Sequence, residues 1–139
     1  PTVEALAYNL WGSSALICPI MDARRSQVYT GLYYAEEELQ TEKEPCAMDM
    51  HELISELNAR GERTVFLGDG VPVYESLIRR ELTVAYSFAP PQSSRQRAAS
   101  VAALGELYMK QGRTVTAADF KPEYLRKPQA EREREGIEL

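Results

Sequence analysis

Residues 17–34 read ICPIMDARRSQVYTGLYY. An apolar run over 15–21 stops at Asp22-Ala23-Arg24-Arg25, and a second run rich in Tyr and Val follows. Nearly unbroken apolar character suits a strand covered on both faces. In the second run Val28, Thr30, Leu32 and Tyr34 share one face, and Tyr29, Gly31 and Tyr33 the other, the period of two expected of a strand. A third strand fits 39–47, after an acidic turn at Glu36-Glu37-Glu38. Three strands with short connections form an antiparallel meander.

Outward from this meander the period changes to that of helices. Before it, Val3, Leu6, Ala7, Leu10 and Trp11 mark one helical face, with Thr2 as cap and Gly12 as stop. After it, Asp49 and Glu52 form a capping pattern ahead of Met50, Leu53, Ile54 and Leu57, and Gly61 ends that helix. A short buried strand follows over 64–67, then the turn Gly68-Asp69-Gly70. Pro72 fits the first turn of a helix that carries Tyr74, Leu77 and Ile78 inward. A fifth strand is expected over 82–86, and Pro90-Pro91 breaks the chain. Ser93 or Ser94 would cap a last long helix to about Gln111. Its stripe of Ala98, Val101, Ala102, Gly105, Tyr108 and Met109 predicts close contact with the sheet. The segment from Phe120 onward reads as extended and then highly charged. The fold class is therefore α/β, a mixed five-stranded sheet with helices.

The 139 residues suffice for one domain with a real core. A net charge of -5 argues against stand-alone nucleic-acid binding. The single histidine, His51, and the two cysteines, Cys18 and Cys46, lack zinc spacing. The cysteines read as buried thiols in a reducing cytoplasm. No apolar run is long enough to span a bilayer, and 1–11 lack a signal-peptide pattern. The start at Pro1, almost inside a helix, reads as a piece of a longer protein.

Three groups of residues invite a functional reading. Asp22, Arg24 and Arg25 fit a structural corner or an anion- or partner-facing site; a catalytic acid would need a second carboxylate, a histidine or a nucleophile beside it. Gly68, Asp69 and Gly70 lie between strand and helix, where backbone N–H groups can meet a phosphate, although a tight turn explains them equally. Tyr29, Tyr33 and Tyr34 can stack bases, but alternate tyrosines on a strand more often pack a sheet.

VEALAYNL at 3–10, PIMDARRSQVYTGLYY at 19–34, VFLGDGVPVY at 65–74 and KPEYLRKPQAE at 121–131 together resemble the carboxyl-terminal half of the bacterial TsaB (YeaZ) family. That family serves the synthesis of threonylcarbamoyladenosine beside the tRNA anticodon. The resemblance implies one lobe of the ribonuclease H-like, actin-like ATPase fold, with 1–128 as that lobe, 129–139 as a charged tail and the amino-terminal lobe outside this chain. It implies a non-catalytic cytoplasmic subunit, partner of a TsaD-like transferase and a TsaE-like ATPase. It allows a homodimer, and brings tRNA only through the complex. No cofactor is expected on this chain, while ATP or ADP and a divalent metal have a place in the assembly. Pro122, Tyr124, Leu125 and Arg126 match a family motif and read as structural. The alternatives are a glycoprotease-type peptidase, for which no metal or nucleophile constellation is visible, and a nucleotide-binding lobe using the Gly68 turn.

Overall fold

The computed structural model describes residues 2–122, 125, 129–134 and 136. The elements run α1 (Thr2–Tyr8), β1 (Leu16–Asp22), β2 (Gln27–Tyr34), β3 (Gln40–Asp49), α2 (Met50–Arg60), β4 (Thr64–Leu67), α3 (Gly70–Glu81), β5 (Tyr86–Phe88), α4 (Ala98–Lys110) and α5 (Gln129–Arg134). The sheet order is β3-β2-β1-β4-β5. β1, β2 and β3 form the antiparallel meander. β4 returns parallel to β1, and β5 adds in parallel beside it.

The alternation in β2 sorts its side chains as its period of two demands. Val28 and Leu32 join Leu16, Cys18, Ile20 and Phe66 under α2 and α3. Tyr33 goes to the opposite face with Ile17, Val65 and Leu67, under Val3, Leu6 and Ala7 of α1. Gly31 exists to make room on that face. A Cβ there would come 2.7 Å from the Tyr33 hydroxyl. The tyrosines of β2 thus serve the sheet: Tyr33 is fully buried, and the half-buried Tyr34 donates its hydroxyl to Glu62 at 2.5 Å.

α2 forms as its sequence dictates. Asp49 Oδ1 accepts from the His51 and Glu52 N–H groups, and Gly61 closes the helix at φ 69°. His51 Nδ1 lies 3.2 Å from Glu81 Oε2, linking α2 to the end of α3. Cys18 is buried, which pushes its thiol up to about 12, and Cys46 is half-buried; both are free.

Several expectations are corrected. α1 ends at Tyr8, three residues early, because the chain turns through Asn9 to Gly12 (φ 93°). Trp11 is consequently 58% exposed and leaves the buried stripe. Thr2 lies within the helix rather than capping it. The fifth strand starts at Tyr86, not Leu82, since Leu82 N–H closes α3 onto the Ile78 carbonyl and its side chain is buried there.

The largest correction concerns α4. Pro91–Ser93 form a 3₁₀ turn, and the helix begins only at Ala98, with Arg97 as a cap lacking a side-chain bond. It packs on α1, away from the sheet, through Ser100 and Leu104. Val101 and Met109 are 52% and 70% exposed, and nothing lies within 4 Å of a Cβ built on Gly105. Small or apolar residues occupy every side of this helix, so an inward stripe could be drawn on the wrong one. In the charged tail, Gln129–Arg134 forms a short helix, as suits its Glu and Arg content. Tyr124 and Arg126 lie outside the described residues; Pro122 is exposed and Leu125 half-buried.

Candidate functional site

β1 and β4 run parallel, so their carboxyl ends emerge side by side. The rim beyond such ends is where open α/β sheets place ligands. Here the fold joins two of the sequence candidates. The Asp22 N–H donates to Asp69 Oδ1 at 2.9 Å. Asp22 Oδ1 in turn accepts from the Arg24 N–H at 3.0 Å and from the Tyr74 hydroxyl at 3.4 Å. Tyr74 also reaches the Gln27 carbonyl at 3.4 Å. Burial and the Asp22 charge push the Tyr74 hydroxyl up from its usual range, so it remains a donor. Asp22 is therefore a backbone-organising carboxylate at the start of the corner.

Arg24, Arg25 and Ser26 follow with φ of 62°, 53° and 61°. The Gln27 N–H closes the turn on the Arg24 carbonyl, and the Ala23 N–H bonds to the Gln27 carbonyl. The Met50 N–H binds the Ser26 carbonyl at 2.8 Å, tying the corner to the start of α2. Both arginines are exposed.

The Gly68 turn has a structural explanation for each glycine. Gly68 has φ 107°, and a Cβ on it would lie 2.3 Å from the Ile20 carbonyl oxygen; for Gly70 the distance is 2.9 Å. Both are glycine because β1 passes directly beneath. The Gly68 N–H, the group a phosphate would seek, donates instead to Ser94 Oγ at 2.9 Å. Beside this turn an open cleft of about 540 Å³ is lined by Met21, Asp69, Val71, Pro91, Ser94 and Arg95, among others.

Ser94 and Tyr74 are the members that sequence reasoning missed. Ser94 was expected as a helix cap and Tyr74 as an apolar core residue. Their partners lie 26 and 52 positions away, a separation that no local motif encodes. Among the described residues no three of His, Cys, Asp or Glu group as a metal site, and no helix is long and apolar enough to cross a membrane.

No family model matches the chain. Over 134 residues, 94% of this chain, it is 29% identical to the tRNA threonylcarbamoyladenosine biosynthesis protein TsaB of Bacillus subtilis (strain 168). Over this region the chain is similar to the TsaB/YeaZ family. It spans 56% of the length of that curated relative. Two solved structures from Pseudomonas aeruginosa share the fold. One, described as an uncharacterized protein with similarity to peptidase YeaZ, superposes with a TM-score of 0.69 at 20% identity, covering 90% of this chain and 56% of its own. The other, YeaZ, superposes with a TM-score of 0.63 at 20% identity, covering 88% and 57%. The chain shares the fold of these structures, one lobe of the actin-like, ribonuclease H-like fold.

Proposed function

We propose that this chain is the carboxyl-terminal lobe of a TsaB-type subunit that supports threonylcarbamoyl modification of the tRNA adenosine beside the anticodon. The observation that carries the reading is the alignment across 94% of the chain with a protein named for that pathway. In this reading residues 1–128 form the lobe and 129–139 a charged appendage. The lobe positions a TsaD-type transferase and a TsaE-type ATPase and performs no chemistry of its own. The candidate site supports a positioning role. Asp22 and Asp69 are engaged with backbone N–H groups, and the Gly68 turn is packed on β1. Such groups fix the shape of a rim rather than stand ready to move protons.

The test is depletion of the protein in its native cell, followed by mass spectrometry of nucleosides from digested tRNA. Threonylcarbamoyladenosine should fall and return on re-expression. An unchanged level in depleted cells refutes the assignment. Affinity purification of the full-length protein should also bring down the TsaD-type subunit.

A further inference from the structure

The corner between β1 and β2 breaks the local rule for its own geometry. Its turn has positive φ at both central residues, Arg25 and Ser26, and Arg24 before them is left-handed too. Hairpin turns of this kind strongly favour Asn-Gly or Gly-Gly, which reach positive φ at low cost. Three consecutive residues bearing a Cβ are the unfavourable choice. They persist because the corner is held from several sides: by Asp22 Oδ1 on the Arg24 N–H, by Met50 on the Ser26 carbonyl and by Tyr74 on the Gln27 carbonyl. Strain maintained by such bracing is a mark of a functional segment.

The bracing leaves two guanidiniums exposed and rigidly based. Carboxylates are at hand on this rim, and Oδ1 of each accepts from backbone N–H groups. Asp22 takes the Arg24 N–H, Asp69 takes the Asp22 N–H, and Asp49 caps α2. Among the described residues neither Arg24 nor Arg25 has an ion-pair partner.

We infer that Arg24 and Arg25 form a docking point for an acidic segment of a protein partner. Each planar guanidinium can grip a carboxylate through two parallel N–H bonds. Nucleic acid fits less well. A phosphate backbone selects an extended basic surface, whereas this corner offers two arginines. A short acidic peptide segment meets the guanidiniums without having to cover the whole rim. The inference goes beyond the tRNA assignment and is tested without tRNA or the modification reaction.

The full-length protein is titrated with a capped hexaglutamate peptide at low ionic strength, following the arginine Nε–Hε signals by NMR. The Arg24 and Arg25 signals should shift, and added salt should reverse the shift. The double variant R24K/R25K, which keeps charge but loses the planar fork, should bind several-fold more weakly. The variant R25N/S26G should relieve the turn, raising the thermal midpoint by about 3 °C, and weaken the peptide response. The inference is overturned if the two signals ignore hexaglutamate. It is overturned equally if hexauridylate or inorganic phosphate shifts them as strongly, or if R25N/S26G is no more stable than the parent.

Discussion

At the scale of single residues, the rim of this sheet is governed by where a Cβ can go. The left-handed residues Arg24, Arg25 and Ser26 each cost about 1–2 kcal/mol relative to ordinary backbone. Gly68 shows the opposite solution, glycine where only glycine fits. Gly68→Ala should destabilise the protein by roughly 2–4 kcal/mol, since it combines positive φ with a clash against the Ile20 carbonyl. Urea unfolding checks this, and an unchanged midpoint would mean that β1 yields. Glu4 presents an electrostatic counterpart. It is buried in α1 and accepts a hydrogen bond from the Tyr108 hydroxyl of α4. Desolvation raises its carboxyl above the usual range, partly offset by nearby positive charge that includes Arg113. A folded-state value above the unfolded one means that the native state favours the proton. The stability contribution is then full at low pH and is lost as pH rises through the folded value. Glu4→Gln keeps a neutral acceptor, so it should raise the denaturation midpoint at pH 7.5 and leave it nearly unchanged at pH 4. A gain that is equal at both pH values would contradict this account.

At the scale of elements, polar contacts as well as the buried Leu104 hold α4 and the segment before it to α1 and its end. Asn9 Nδ2 donates to the Ser93 and Arg95 carbonyls, and Asn9 Oδ1 accepts from Ser100 Oγ at 2.5 Å. Asn9→Ala removes all three and should cost about 1–3 kcal/mol. Hydrogen exchange should then quicken across 98–110 and leave the β1 and β2 amides slow. Uniform acceleration would show that α4 and the sheet open together. Gly105 lies in the open on the same helix. Gly105→Ala should therefore stabilise the protein by about 0.5–1 kcal/mol, the usual difference in an exposed helix interior. A loss of stability would restore the close contact that the small-residue stripe suggested.

At the scale of the whole molecule, the sheet divides two apolar layers. Ile54 lies in the layer under α2 and α3, and Ile17 in the layer under α1; both are almost wholly buried. Ile54→Val and Ile17→Val should each cost about 0.5–1.5 kcal/mol. Because the groups removed face opposite sides of the sheet, the double variant should equal the sum within about 0.5 kcal/mol. A larger coupling, measured by equilibrium denaturation of all four proteins, would show that the layers relax into one another.

The elements that the sequence alone determined are those whose signals are local. The alternation of 27–34 specified a strand and assigned each of its faces, and Asp49 with Gly61 marked α2 at both ends. Steric period and capping act within a few residues, so they can be read without the fold. The motifs also carried the family resemblance. Tertiary structure alone decided where α4 lies, because a helix with small or apolar residues on every side encodes no unique inward face. It decided that Leu82 closes α3 instead of opening β5. It also brought the Asp22 corner to the Gly68 turn, since the parallel pairing of β1 with β4 juxtaposes groups 47 residues apart. Whether a carboxylate is free for chemistry depends on the backbone groups facing it. For Asp22 that group is the local Arg24 N–H, but for Asp69 it is the Asp22 N–H, brought to it only when the sheet forms.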